Sequence, residues 1–165
     1  MKKLPLILVL ATFLSFSCQE NSEKLLIRNF IQDLFDPTVN PEQVVERYIY
    51  IPDEKKSNDS NQDKKDLAIK IIKDARIGQN GSDWFVPNQK IKNLKELNIL
   101  SFIEAEHLNK LNFNGLRSDH KSQMYVLVDD DEKEILEYFM LSDDKSQIKY
   151  FNLFVKGDSA SFFEF

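Results

Sequence analysis

At 165 residues the chain is long enough for one domain and too short for two. Its composition, 42% hydrophobic with thirteen Phe and only four Gly, excludes a low-complexity segment and a loop-rich disulfide scaffold. A formal charge of −5 with no clustered Lys/Arg stripe lacks the footprint of a nucleic-acid binder, and the single cysteine, Cys18, excludes an internal disulfide or a cysteine-based zinc cluster.

The first element in chain order is Lys2-Lys3 followed by the almost wholly apolar run Leu4–Phe16. Thirteen residues at 1.5 Å rise fall short of a hydrocarbon layer of roughly 30 Å, so the run reads as a signal h-region rather than a membrane span. The chain turns polar immediately after Cys18. Leu14-Ser15-Phe16-Ser17-Cys18 resembles the lipobox of bacterial lipoprotein signal peptides, in which the cysteine is diacylated and becomes the new amino terminus. It departs from the common pattern in that Ser15 and Phe16 stand where Leu and a small residue are usual, with Leu14 one step further out. The resemblance implies a signal peptide over residues 1–17, a lipidated tether at 18–22, and a protein held in the bacterial cell envelope, on its periplasmic or outer-membrane face. Loss of residues 1–17 removes two lysines and no acids, lowering the formal charge to about −7. The attached palmitate-type chains, rather than a basic protein face, would then hold the protein on the membrane.

A helix is expected from Ser22, the candidate N-cap, with Ile27, Phe30, Ile31 and Leu34 on one stripe. Asp36-Pro37 ends it. Asn40-Pro41-Glu42-Gln43 then supplies an N-cap, a proline at the first helical position and a capping-box partner for a second helix carrying Val44, Val45, Tyr48 and Ile49. Residues 53–66 hold no apolar side chain and read as a solvated segment or the polar start of a third helix marked by Leu67, Ala68, Ile71, Ile72 and Ala75. The period then changes. Residues 95–105 are ambiguous, with a strand preferred over a helix and a short helix expected near His107. MYVLV (124–128) has the form of a buried strand, EILEYFML (134–141) of a returning one, and QIKYFNLFVK (147–156) alternates as another before SASFFEF (159–165). Helices first and antiparallel strands afterwards predict an α+β domain over 23–165, with two or three helices packed on a curved sheet of four to five strands. This order, closing on YVLV…LEYFML…IKYFNLFVKG…FFEF, resembles the NTF2-like and cystatin-like superfamily, a likeness that implies a fold often enclosing a pocket and by itself assigns no activity.

The chemistry-bearing residues are sparse. His107 and His120 have neither a histidine four residues away nor a cysteine to complete a metal site. Asp129-Asp130-Asp131-Glu132 lacks the spaced oxygens and the glycine of a calcium loop, and reads as a solvated hairpin tip. No nucleophile elbow or phosphate loop is present. No cofactor, metal or catalytic residue is therefore assigned, and the chain reads as a non-enzymatic module. Trp84 and Phe85, in an irregular stretch, together with Tyr48, Tyr125 and Tyr138, are candidates to line a pocket for a small apolar ligand or to contact an envelope protein. Asp158-Ser159-Ala160 resembles the short acceptor sequence for bacterial O-glycosylation, making Ser159 a candidate acceptor. Asn58 and Asn80 formally begin N-glycan sequons, which a bacterial lipoprotein does not normally use. Two alternatives stay open: an enzymatic or metal-dependent site in the concave face of the sheet, and a structural subunit of an envelope assembly, suggested by the Phe-rich carboxyl-terminal strand.

Overall fold

The computed structural model describes residues 21–52, 61–77, 90–91, 93–151 and 153–162. Three helices come first, α1 (Ser22–Phe35), α2 (Pro41–Tyr48) and α3 (Asn61–Ile77). The strands follow: β1 (Asn98–Ser101), β2 (Asn112–Phe113), β3 (Met124–Val128), β4 (Ile135–Leu141), β5 (Ile148–Tyr150), β6 (Leu153–Lys156) and β7 (Ser159–Phe162). The expected α+β class is the one observed.

Local chemistry sets the helix ends. The N-cap of α1 is Asn21 rather than Ser22: its Oδ1 accepts from the Glu23 backbone N–H at 2.8 Å, and Ser22 is already helical. Asp36, extended before Pro37, closes the helix with its N–H on the Gln32 carbonyl. Asn40 caps α2 through Glu42 N–H at 2.9 Å, with Pro41 at the first helical position as expected. Arg76, near the end of α3, donates from Nε to the Leu34 carbonyl and from Nη2 to that of Asp33, satisfying acceptors that α1 leaves open at its carboxyl end.

The strands divide between two sheets. One has the order β1-β3-β4-β5, antiparallel throughout; the other has the order β2-β7-β6, in which β2 and β7 run parallel. The run 147–156 is therefore two strands in different sheets, not one. Its sequence alternates through the break, but Phe151 is buried against the helices while Leu153 is buried on the opposite side of the first sheet. A chain serving both clusters has to change sheets there.

Alternation along β3 and β4 assigns the two cores. Tyr125, Leu127, Phe139 and Leu141 face the helices and pack with Ile27, Phe30 and Leu34. Met124, Val126, Val128, Tyr138 and Met140 face the second sheet and pack with Phe102, Leu153 and Ala160. The result is three layers: helices, four-stranded sheet, three-stranded sheet. Every residue of β3 is buried, as a strand covered on both faces must be. Phe30 centres the helical core, its ring 5.1 Å from Phe151, 5.9 Å from Tyr48 and 6.3 Å from Phe139, all edge-on.

Candidate functional site

A cleft of about 530 Å³ opens between α1 and the segment leading into β1. Arg28, Ile31, Gln32 and Phe35 form its helical wall, and Ile91, Leu94, Lys95, Glu96 and Leu97 the opposite one. Ile31 and Ile91 belong to the helical core, so the cleft has an apolar floor. Positions 28, 31, 32 and 35 share one side of α1 because they recur at the i, i+3, i+4, i+7 spacing.

The second wall has no regular structure of its own between Asn93 and Leu97, and side chains hold it from both sides. On α1, Arg28 Nη2 donates to the Leu97 carbonyl at 3.0 Å. On the β3–β4 hairpin, Asp130 Oδ1 accepts from Lys95 N–H at 3.0 Å and Glu132 Oε1 from Asn98 Nδ2 at 2.7 Å. Asp129 closes the hairpin itself, its Oδ1 accepting from the N–H groups of Lys133 and Glu134. These backbone donors, Glu134 first, hold the Asp129 carboxyl below its usual range. The acidic run expected to be a solvated tip therefore fastens the cleft wall. Among the described residues, no group of three or more His, Cys, Asp or Glu could hold a metal ion.

The tyrosines singled out from the sequence do not meet at one place. Tyr48 packs beside the helical core and donates its hydroxyl to Asp33 Oδ2 at 2.8 Å, where Arg47 also pairs. Burial and then the Asp33 hydrogen bond push its phenol up. Tyr125, 4% exposed, lies in the same core under the start of α1. Burial raises its phenol first, followed by the Glu23 charge, against an opposing hydrogen bond with Asn21. Tyr138 is on the other face of the sheet, among Phe102 and Phe113, with its hydroxyl on Asn109 Oδ1 at 2.8 Å. Burial, then the neighbouring Glu137 charge, pushes it up to about 12. None of the three lines the cleft.

Trp84, Phe85, Asn58, Asn80 and Cys18 lie outside the described residues. Ser159 begins β7, the central strand of the second sheet, half-buried between Asn112 of β2 and Lys156 of β6. His107 is exposed in the 3₁₀ turn Glu106–Leu108, and His120 lies in the second such turn, Ser118–Gln123.

Sequence reasoning missed Arg28, Lys95 and the cleft they border. Leu94 and Leu97 read as helical spacing, and the only available sign was that two of the leucines of an otherwise charged stretch had no helix to belong to. No known protein family, curated protein or solved structure matches this chain.

Proposed function

We propose that this protein is a non-enzymatic binding module of the bacterial envelope, tethered through lipid on Cys18, whose cleft takes a small apolar ligand with an anionic end. The observation carrying the ligand class is the cleft lining: Ile31, Phe35, Ile91, Leu94 and Leu97 beside the cations Arg28 and Lys95. Its size falls in the range of roughly 300–1,000 Å³ usual for small-molecule sites. An aliphatic chain would remove apolar surface from water on Ile31 and Leu94, and Lys95, on the rim, would meet its charged end. The anchor rests on the amino-terminal sequence pattern. Metabolic labelling tests it directly: palmitate should enter the native protein and be lost in Cys18→Ala.

Decanoate titrated against residues 19–165 should raise the melting temperature, and decanol should do so less. Leu94→Asp and Lys95→Glu should each suppress the rise. A decanoate response unchanged in both variants would overturn the cleft as the site. A second reading, a subunit of an envelope assembly, is favoured by β6, an edge strand on which Phe154 is 58% and Val155 46% exposed. A sedimentation profile that stays monomeric at high concentration would count against it.

A further inference from the structure

Leu25 and Ile103 are two of the large apolar side chains that the described fold leaves in water, at 44% and 60% exposure. They belong together. Leu25 adjoins Lys24 and Ile103 adjoins Glu104, and these two charged neighbours form one ion pair at 3.3 Å across the gap between α1 and the turn after β1. Glu104 is fixed in turn by Ser101, whose N–H and hydroxyl donate to Oε2 at 2.7 and 2.8 Å. The pair is therefore a built patch at the amino-terminal end of α1, not two stray side chains.

What covers it follows from chain length. Asn21, the cap of α1, is three residues beyond Cys18, a span of at most about 11 Å fully extended. Leu25 stands about one helical turn, roughly 6 Å, further on. Acyl chains on Cys18 would hold that end of α1 against the bilayer, within the roughly 5–10 Å depth over which interfacial side chains engage the headgroup boundary. Ile77, 61% exposed, lies at the opposite end, beside Arg76, which binds the last carbonyls of α1.

Resting on the lipid anchor argued above, we propose that Leu25 and Ile103 are the membrane-contact patch of the anchored protein and fix its orientation on the lipid surface. Leu25, Arg28 and Gln32 recur at i, i+3, i+7, so the helical wall of the cleft continues the same stripe. The cleft mouth thus faces the headgroup layer, and its apolar, anionic-ended ligand class is one the bilayer itself can supply.

The full chain, purified with its acyl groups, is reconstituted in phosphatidylcholine vesicles containing headgroup spin-labelled lipid. Leu25→Cys, Ile103→Cys and Ile77→Cys each carry one thiol-reactive fluorophore. Quenching at positions 25 and 103 should be about threefold that at 77, because groups at the headgroup boundary meet the spin label directly. Equal quenching at all three positions, in a protein whose Cys18 takes no label, overturns the patch while leaving the anchor intact. Labelling of Cys18 in the otherwise unaltered protein, with no palmitate by mass, overturns the anchor and this orientation with it. Both outer positions are exposed, so the variants keep the packed core and remain readable.

Discussion

Replacing Tyr138 by Phe removes one hydroxyl from the core between the two sheets and should change the sign of its effect with pH. Near neutrality the variant loses the hydrogen bond to Asn109 Oδ1. That oxygen still accepts from Leu111 N–H at 3.1 Å, so nothing is left orphaned and the cost should be about 1 kcal/mol. In alkali the balance reverses. The folded protein holds the Tyr138 proton up to about 12, whereas the unfolded chain releases it near the ordinary phenol value of about 10. The stability this group contributes is therefore fully present below about pH 10 and is lost as pH rises toward the folded value. By about pH 11 the wild-type protein should have lost roughly 1.4 kcal/mol through this site, and Tyr138→Phe nothing. The two should be equally stable near that pH, with the variant ahead above it. Tyr48 and Tyr125, also shifted upward, affect both proteins alike and cancel. Urea denaturation followed by far-ultraviolet circular dichroism across this range measures the difference. A stability difference that stays constant from neutrality to about pH 11 would refute the buried, proton-holding phenol.

Phe30→Ala should cost about 3–5 kcal/mol in denaturant unfolding, because a fully buried ring with three aromatic neighbours is removed; Phe154→Ala, on an exposed edge, should stay within about 0.5 kcal/mol. The Asp144 carboxyl, held down to about 2 by Ser142 and Ser146, is worth most above the ordinary carboxylate range and is lost as pH falls toward 2. Wild type should therefore destabilise more steeply in acid than Asp144→Asn. Gly157→Ala places a side chain at φ +66° and should cost about 1 kcal/mol in thermal unfolding, from backbone conformation alone since the added Cβ meets nothing.

The parts of the fold that were legible in the sequence are those fixed by nearby residues. Asn40-Pro41 marks the start of α2 because cap and proline act within one turn. MYVLV announces burial on both sides because no position in it is polar. What could not be read depends on distant partners. Asn112-Phe113 is a strand only because β7 lies alongside it, some 47 residues later. The break after Tyr150 carries no turn residue, and only the separate destinations of Phe151 and Leu153 reveal it. The cleft was hidden for the same reason: Arg28, Lys95 and Asp130 come from three parts of the chain and meet only after folding. The tyrosines misled differently, since an aromatic that fills a core and one that lines a pocket look identical until its neighbours are known.

The change of sheets between Tyr150 and Leu153 also governs which length changes the chain can accept over evolutionary time. Side chains alternate with a period of two, so one residue added at that corner would turn Leu153 outward and Phe154 inward, and displace Ala160 from its contact across the β6–β7 ladder. The hairpin tips around Asp131, Lys145 and Gly157 carry no such phase. Descendants of this sequence should vary in length at the tips and keep the corner to the residue.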